Sequence, residues 1–356
     1  MIFIMEINKE DFLNNIWKLR LDNKLEFPID KPDFDTCNND FQILKNKSFK
    51  DLIKKGEWFS RYEYKYPINN YYIDSDIIGL KSSDYFHFDS RMLCDSINSP
   101  SPIRVWNNEK FFKSMASALL SMKLYEPTKK NLKSCIALRK YIASQFRPSA
   151  VKCLYELFDA KDILDFSSGW GDRLSAFMAT KNTISYTGID PNKLLIDGYN
   201  NQIISFNKDK HINMNCVGAE DFIHTQKYDF VFTSPPYYNI EKYSNDPVQS
   251  FKKYKKLESW LENFLFKSLD NIWNNLKEKS IVIINISDVY SNHTINKICD
   301  PMNEYLSTLN NSNYIGCIGY KMQKRLNSLS NKKGIFAEPC WIWSNYDINL
   351  NDFINE

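Results

Sequence analysis

The stretch that decides the fold is YDFVFTSPPYY, residues 228–238. Its first five residues, YDFVF, form a largely apolar run that predicts a buried β-strand. Pro235 and Pro236 end the ladder at that strand, because neither residue has an N–H group to donate. The chain must then leave the sheet as a stiff turn, which can aim backbone carbonyls and the Tyr237 ring at a ligand. We therefore predict a reaction site at this strand end.

Strands and helices alternate around this stretch. The predicted strands are 163–166, 185–190, 213–217, 228–232 and 280–286, followed by a closing antiparallel pair at 314–320 and 335–343. The predicted intervening helical segments are 174–179, 194–206 and 249–276. This alternation predicts an α/β domain with a seven-stranded, mostly parallel sheet, and such sheets bind ligands at the carboxyl ends of their strands.

The part of the chain before the sheet divides into two regions. Residues 1–110 alternate polar turns with aromatic clusters, and we expect an irregular N-terminal region that serves as an accessory elaboration or in substrate recognition. From residue 111 the pattern becomes helical, and Pro148 suits the first turn of a second helix. The predicted second domain is therefore 111–356.

The composition limits the classes of function. The 356 residues are 43% hydrophobic and 25% charged, which predicts a packed core, and a net charge of +3 does not by itself indicate nucleic acid. Eight scattered cysteines without a C-x-x-C pair, and four histidines without ligand spacing, argue against a metal site. We find no signal-peptide pattern and no apolar run of ~20 residues, so we predict an intracellular protein with reduced thiols and no membrane association.

A glycine turn follows the first predicted strand, in DFSSGWGDR, residues 165–173. Gly169 and Gly171 lie between a strand and a helix, where glycine lets the backbone approach a ligand closely. The Rossmann pattern is incomplete because Leu174 stands where its third glycine would be, so a pyrophosphate cofactor is not favoured.

Acidic residues end the next two predicted strands. Asp190 ends the second, where a carboxylate suits the two hydroxyl groups of a ribose. Glu220 and Asp221 end the third and suit an adenine amino group. Each acid alone could be a helix N-cap or a loop residue. In this order, after a glycine turn and before Ser-Pro-Pro-Tyr, they form a more specific pattern.

Together these motifs resemble the S-adenosylmethionine-dependent amino-methyltransferases that act on DNA. The family's catalytic tetrapeptide, [Asp/Asn/Ser]-Pro-Pro-[Tyr/Phe/Trp], is similar to SPPY at 234–237, and its glycine-rich loop is similar to 165–171. Phe146-Arg147-Pro148 resembles the family's additional cofactor-binding element. The wider pattern also resembles methyltransferases of phages and large DNA viruses. The resemblance covers 146–288 and does not reach residues 1–110.

The resemblance implies a class I, Rossmann-like methyltransferase fold with S-adenosyl-L-methionine as cofactor. It implies catalytic roles for Ser234, Pro235, Pro236 and Tyr237. The implied cofactor-binding residues are Arg147, Pro148, Asp165, Ser167, Gly169, Gly171, Asp190, Glu220 and Asp221. Substrate contacts are expected from Tyr238, Asn239, Lys324 and Arg325.

The residue types suit methylation of an exocyclic amino group. The lone pair of such a nitrogen is delocalised into the base, and hydrogen bonds from its N–H groups to the Ser234 hydroxyl and the Pro235 carbonyl help to localise it. Tyr237 would stack on the base and hold it for in-line attack. A base inside a duplex must flip out to reach such a pocket, or the substrate must be single-stranded. DNA is the expected partner, ahead of RNA.

The first residue of the tetrapeptide bears on the target base. Ser234 resembles the cytosine-N4 members, whereas adenine-N6 members usually carry Asp or Asn. We predict cytosine N4 in DNA; the open alternatives are an adenine-N6 DNA or RNA base methyltransferase and a catalytically silent nucleic-acid-binding partner. Cytosine-C5 methylation requires a cysteine nucleophile, and the Pro339-Cys340 pair lies in a predicted strand. The expected compartment is cytoplasm, nucleoid or nucleus, with a viral source as an alternative, and the oligomeric state stays open.

Two basic clusters are candidates for phosphate contacts. The first cluster follows the catalytic stretch, and the alternative is that it is simply a solvent-exposed face without a binding role. It contains Lys252, Lys253, Lys255 and Lys256. The second lies in 319–334, a segment without an acidic residue, and is the better candidate; it contains Lys321, Lys324, Arg325, Lys332 and Lys333.

Overall fold

The computed structural model describes residues 8–140, 142–291, 293–323 and 333–354. The helices in these ranges are α1 (Lys9–Leu21), α2 (Phe34–Asn46), α3 (Leu80–Met92), α4 (Pro102–Asn107), α5 (Glu109–Ser121), α6 (Lys129–Arg139), α7 (Pro148–Leu157), α8 (Asp172–Ala179), α9 (Ile196–Phe206), α10 (Ser250–Lys253), α11 (Leu257–Trp260), α12 (Lys267–Trp273), α13 (Cys299–Ser307) and α14 (Asn351–Ile354). The strands are β1 (Ile53–Lys55), β2 (Trp58–Phe59), β3 (Tyr71–Ile73), β4 (Asp95–Ser96), β5 (Asp162–Asp165), β6 (Ser185–Ile189), β7 (His211–Asn215), β8 (Tyr228–Thr233), β9 (Glu241–Lys242), β10 (Leu276–Asn285), β11 (Val289–Ser291), β12 (Thr294–Asn296), β13 (Asn313–Lys321) and β14 (Ile335–Ser344). None of the helices in the described ranges is long and apolar enough to cross a membrane.

The chain forms two compact units. The smaller comprises Met1–Pro32, Phe88–Ser144 and Glu241–Ser244, and the larger comprises Asp33–His87, Gln145–Ile240 and Asn245–Glu356. These units do not follow the predicted division at residue 110, since 33–87 belongs with the sheet and 111–144 does not. The predicted role of residues 1–110, as an accessory elaboration or in substrate recognition, stays a prediction.

The expectation that residues 1–110 are irregular is wrong for the described residues, which include α1 to α4 and β1 to β4. Helix α2 begins at an N-cap, Asp33, whose side chain accepts from the backbone N–H of Thr36. Its buried residues, Cys37, Phe41 and Leu44, recur at helical spacing on one face. The strands β1 to β3 are only two or three residues long, so their stability comes from pairing within the sheet rather than from their own sequence.

The larger unit is built on a ten-stranded sheet of order β1-β3-β13-β14-β10-β8-β5-β6-β7, with β2 paired to β14. Strands β10, β8, β5, β6 and β7 are parallel, while β14 is antiparallel to both β10 and β13. The seven strands from β13 to β7 have the order of the class I, Rossmann-like methyltransferase fold, so the predicted fold class is confirmed. Strands β1, β2 and β3 extend this sheet.

The chain crosses over between β5 and β8, which are neighbours in the sheet. From β5 the chain adds β6 and β7 on one side, and from β8 it adds β10, β14 and β13 on the other. Ligands of open α/β sheets bind outside the carboxyl ends of the strands at such a topological switch point. The residues at these two strand ends are Asp165 and Thr233.

The central strands are buried on both faces. Phe230, Val231 and Phe232 of β8 are at most 1% exposed, and Val231 lies opposite Val282 of β10. Burial on both faces explains why these strands are almost continuously apolar rather than alternating. This is the property that made them predictable from the sequence.

One predicted element is interrupted. The amphipathic segment predicted at 249–276 is helical in pieces: it contains α10, α11, a π-helical stretch Leu261–Phe266, and α12, and its last residue begins β10. Its apolar residues are nevertheless core residues: Trp260, Phe264, Leu265, Leu269 and Trp273 are buried.

The smaller unit has a separate core of its own. Helices α1, α4, α5 and α6 contribute Leu13, Val105, Phe112, Met115 and Leu132 to it. These residues are at most 9% exposed. The unit therefore buries enough apolar surface to form a packed helical body.

Candidate active site

Asp165 is fully buried at the carboxyl end of β5 and holds the switch point together. One carboxylate oxygen accepts from Arg173 Nε at 2.7 Å and from the Tyr186 hydroxyl at 2.6 Å. The other accepts from Thr233 Oγ1 at 2.9 Å and from the Ser167 N–H at 3.3 Å. These donors use the four acceptor positions of a carboxylate. Asp165 therefore supports the predicted cofactor loop from beneath, and this position favours an indirect role over direct contact with a ligand.

The two glycines of the loop have different surroundings. Both have positive φ, 56° at Gly169 and 72° at Gly171. A Cβ at Gly171 would lie 2.3 Å from Gln202 Oε1 and 2.8 Å from His87 Nε2. A Cβ at Gly169 would meet only the Ser167 carbonyl, at 3.8 Å. Packing therefore requires Gly171, whereas Gly169 borders open space that a ligand could fill.

Asp190 joins the glycine loop to the end of β6. Its carboxylate accepts from the N–H of Gly169 and from the N–H of Asn192, each at 2.9 Å. Burial raises the pKa of Asp190 to about 6, although these backbone N–H groups act in the opposite direction. The Nδ2 of Asn192 is buried and has no hydrogen-bond partner among the described residues. The segment after β6 thus contains a carboxylate that contacts Gly169 and, two residues later, a buried donor without a partner among the described residues.

The segment before α7 packs at the start of α8. The carboxylate of Asp172, the first residue of α8, accepts from the Phe146 N–H at 3.1 Å and from Gln145 Nε2 at 3.0 Å. The Phe146 ring stacks on Tyr320 of β13 with a centroid separation of 4.4 Å. The structure therefore brings the predicted additional element next to the glycine loop.

Arg147 and Pro148 make protein contacts within this segment. Arg147 Nη1 donates to the Ser75 carbonyl at 2.7 Å, and the Arg147 N–H donates to the Tyr320 hydroxyl at 3.2 Å. Pro148 is buried as the first residue of α7, and its Cβ would be 2.7 Å from a Cβ added at Gly79. These contacts favour a supporting role for both residues over direct cofactor contact.

The acids after β7 are held by lysines. Glu220, 2% exposed, accepts from Lys253 Nζ at 2.8 Å and from the Tyr254 hydroxyl at 3.2 Å. Asp221 accepts from Lys253 at 2.5 Å and from Lys267 at 3.1 Å, and these bonds lower the pKa of Asp221. Glu220, Asp221 and Lys267 also line an open depression of about 410 Å³. Lys253 of the first basic cluster is therefore engaged in ion pairs.

The predicted catalytic turn lies at the end of β8, beside the end of β10. Ser234 Oγ donates to Asn285 Oδ1 at 3.2 Å. The Tyr237 hydroxyl lies 3.1 Å from both Asn285 Oδ1 and Glu338 Oε2. Burial, followed by the neighbouring Glu338 carboxyl, raises the pKa of Tyr237 well above its usual value, so its hydroxyl is protonated and acts as a donor.

Tyr238 and Asn239 differ in their surroundings. Tyr238 has a positive φ of 53°, is 8% exposed, and its hydroxyl donates to the Lys255 carbonyl at 2.6 Å. Its ring packs edge-on against Trp260, so Tyr238 is better explained as an anchor of the turn than as a substrate contact. Asn239 Oδ1, in contrast, is buried without a hydrogen-bond partner among the described residues, as expected for a group that awaits a ligand.

The second basic cluster is only partly described. Lys324, Arg325 and Lys332 lie outside the described residues. Lys321 pairs with Asp74 at 2.7 Å, and Lys333 is exposed. The predicted substrate contacts of Lys324 and Arg325 stay predictions.

Three residues of the site were missed in the sequence. Asn285 ends β10, Tyr320 lies in β13 and Glu338 lies in β14, and the fold brings them to Tyr237 and Phe146. A signal was present for two of them: Asn285 and Glu338 are polar residues within the apolar runs 281–286 and 335–343. A polar residue in a strand that is buried on both faces needs a hydrogen-bond partner.

No protein-family model matches the chain, and no curated protein sequence matches it. Among solved structures, TrmN from Thermus thermophilus is 12% identical over 56% of this chain and 49% of its own length, with a TM-score of 0.37. An rRNA methylase from Streptococcus thermophilus is 11% identical over 57% of this chain and 98% of its own, with a TM-score of 0.34. The N-methyltransferase NodS from Bradyrhizobium japonicum, in complex with S-adenosyl-L-homocysteine, is 10% identical over 56% of this chain and 86% of its own length, with a TM-score of 0.37. The chain thus spans about half the length of TrmN, and its fold class is established by the strand order of its own sheet.

Proposed function

We propose that this chain transfers a methyl group from S-adenosyl-L-methionine to an exocyclic amino nitrogen of a DNA base, and that the base is cytosine, methylated at N4. It would then be an SPPY-type amino-methyltransferase, of the kind found in phages and large DNA viruses. The observation that carries the proposal is the hydrogen bond from Thr233 to Asp165, because it fixes the Ser234–Tyr237 turn beside the glycine loop. A methyl donor bound at the glycine loop would then face a methyl acceptor bound at the turn.

The residues at the glycine loop fit the cofactor. Gly169 borders open space, Asp190 offers a carboxylate for ribose hydroxyls, and Asn192 offers a buried donor without a partner. When bound, S-adenosyl-L-methionine supplies an electrophilic methyl group on its sulfonium. The part of the chain is to hold that group in line with the acceptor nitrogen, which is the main means of catalysis when no covalent nucleophile takes part.

The catalytic turn fits an amino group as acceptor. Ser234 Oγ and the Pro235 carbonyl are two oxygens on one rigid turn, able to accept from the two N–H groups of the base. Tyr237 is half-buried, and its hydroxyl is anchored to Asn285, so its ring has a fixed orientation for stacking. The uncharged Ser234 hydroxyl supports cytosine over adenine, since adenine-N6 members of the resembling family usually carry Asp or Asn there.

Methyl transfer from labelled S-adenosyl-L-methionine to DNA and to RNA, followed by identification of the nucleoside, tests the proposal. The expected product is N4-methylcytosine in DNA. N6-methyladenine would correct the base, a modified ribonucleoside would correct the polymer, and no product from either polymer would favour a silent binding partner.

Tyr237→Ala is the matched test of the site. Activity should be lost while the protein stays folded, and the control is Tyr125→Ala, because Tyr125 is a 52% exposed tyrosine of the smaller unit. Full activity in the Tyr237→Ala protein would exclude this turn as the acceptor site.

A further inference from the structure

We infer that Asn285 is a positioning residue that fixes the Ser234 hydroxyl as a hydrogen-bond acceptor for the amino group. This inference rests on the proposed function and adds a residue to it. Asn285 is 2% exposed at the carboxyl end of β10, immediately after Ile284, which lies opposite Thr233 in the register of β10 and β8. It therefore stands directly beside the start of the catalytic turn.

The orientation of the Asn285 amide is determined by β14. Its Nδ2 lies 3.1 Å from the Pro339 carbonyl and 3.6 Å from Cys340 Sγ. A carbonyl can only accept, so the NH₂ group must face Pro339, because the opposite orientation would bring two oxygens together. The amide oxygen consequently faces Ser234 and Tyr237.

This orientation decides the direction of the Ser234 proton. A serine hydroxyl has one proton and two lone pairs, and it can rotate to serve as donor or acceptor. Because Asn285 Oδ1 accepts from Ser234 at 3.2 Å, the proton is committed to the protein and the lone pairs are left for the N–H group of the base. A carboxylate or an amide at position 234 would already carry an oxygen that can only accept, whereas a serine depends on its neighbour.

The same oxygen also reaches Tyr237. The Tyr237 hydroxyl has one proton and two acceptors at 3.1 Å, Asn285 Oδ1 and Glu338 Oε2. An amide oxygen has two lone pairs, so Asn285 can accept from Ser234 and Tyr237 together. It thereby holds the acceptor oxygen of Ser234 and the stacking ring of Tyr237 in one fixed arrangement. A displacement of such groups by about 1 Å can lower the rate about 100-fold.

A double-mutant cycle tests this role. Asn285→Ala should lower kcat by about 100-fold, with KM for the base and affinity for the cofactor little changed. In the Ser234→Ala background, Asn285→Ala should cost clearly less than it does alone, because only its hydrogen bond to Tyr237 then remains to be lost. Additive losses in the double variant would mean that Asn285 does not act through Ser234.

A matched control separates positioning from folding. Asn303 is also a fully buried asparagine of the larger unit, and its Oδ1 accepts from Trp343 Nε1 at 3.0 Å. Asn303→Ala should lower the melting temperature, because it leaves the buried Nε1–H of Trp343 without its acceptor, and it should retain kcat. An equal loss of kcat in both variants would assign the effect to stability and overturn the inference.

Neutron diffraction of the deuterated protein gives a readout that does not need activity. The Ser234 deuteron should lie between Oγ and Asn285 Oδ1. A deuteron that points away from Asn285 would overturn the inference even in an active methyltransferase. A deuteron in place, in a protein that methylates neither DNA nor RNA, would instead overturn the proposed function while the orientation of Ser234 holds.

Discussion

The hydroxyl of Thr233 donates a 2.9 Å hydrogen bond to the buried carboxylate of Asp165. This bond joins the carboxyl ends of β8 and β5 at the switch point of the sheet. The residue after Asp165 begins the glycine loop, and the residue after Thr233 begins the Ser-Pro-Pro-Tyr turn. A single side-chain contact thus sets the spacing between the predicted cofactor side and the predicted acceptor side.

Thr233→Val should therefore affect stability and activity together. The variant keeps the shape of the side chain but leaves one oxygen of Asp165 without its hydroxyl donor, at a cost of about 1–3 kcal/mol in the free energy of unfolding. Rate should fall by up to about 100-fold as the turn shifts. Urea unfolding and methyl-transfer assays check both effects.

Thr187→Val is the control for this variant. Thr187 is 2% exposed on the neighbouring strand β6, and its hydroxyl accepts from Gln226 rather than contacting Asp165. It should lose some stability and keep its kcat. Equal kcat in the two variants would show that the contact between Thr233 and Asp165 does not position the turn.

The two glycines of the loop should respond differently to alanine. At Gly171 a Cβ would clash with Gln202 and His87 at a positive φ, so Gly171→Ala should cost about 2–5 kcal/mol. At Gly169 the Cβ would enter open space, and the cost should be only the backbone strain of about 1–2 kcal/mol. Gly169→Ala should instead weaken binding of S-adenosyl-L-homocysteine, measured by calorimetry. Unchanged affinity in a folded Gly169→Ala protein would place the cofactor elsewhere.

Asp190 should make cofactor affinity depend on pH. Its pKa of about 6 in the free protein means that the carboxyl gains a proton as the pH falls through 6, and the protonated form has fewer lone pairs to offer to ribose hydroxyls. The Kd for S-adenosyl-L-homocysteine should be constant above about pH 7 and rise up to about tenfold between pH 6 and pH 5. Asp190→Asn should bind more weakly, without this dependence. A Kd that is flat from pH 5 to pH 8 in the unmodified protein would remove Asp190 from the cofactor site.

The same shift has the opposite sign for stability. The folded-state pKa of Asp190 is raised above that of the unfolded chain, so between about pH 4 and pH 6 the native state binds more protons. The contribution of Asp190 to stability therefore decreases as the pH rises through this window. We therefore expect the Asp190→Asn variant to gain stability relative to the unmodified protein as the pH rises from 4 to 6, measured as the free energy of unfolding of each. A pH-independent difference would contradict the raised pKa.

The central part of the fold was predictable because its strands are buried on both faces. Phe230, Val231 and Phe232 give a continuous apolar run that ends at two prolines, and this pattern is local to the sequence. The short strands β1 to β3 could not be found in this way, since they are strands only through pairing: β3 pairs with β13, β2 with β14 and β1 with β3. At two or three residues each, they are too short for an alternating pattern to be recognised.

The site was predictable only where it is local. Ser234 and Tyr237 are adjacent to the strand that positions them, but Asn285 and Glu338 reach Tyr237 across 48 and 101 residues of sequence. The two consecutive tyrosines also show that residue type alone does not reveal which side chain faces the site. Tyr237 is anchored at the site and Tyr238 is buried against Trp260, because the positive φ of Tyr238 turns the chain between them.

Lys253 should prove structural rather than a phosphate contact. It is the cationic partner of Glu220, which is 2% exposed, and it also pairs with Asp221. Lys253→Met would leave the Glu220 carboxylate in the protein interior without a cation, so we expect a loss of about 1–3 kcal/mol in unfolding free energy. Lys252 donates to the Asn245 carbonyl at the surface, and Lys252→Met should change stability by less than about 0.5 kcal/mol.

The dependence of DNA affinity on salt separates the two roles of Lys253. Each phosphate that a lysine neutralises contributes about 0.9 to the slope of log K against log salt concentration. An ion-paired Lys253 is already neutralised by carboxylates, so Lys253→Met should leave this slope unchanged while it destabilises the fold. A slope reduced by about 0.9 at unchanged stability would show that Lys253 leaves its carboxylates to contact the DNA backbone. The first basic cluster would then be part of the substrate surface after all.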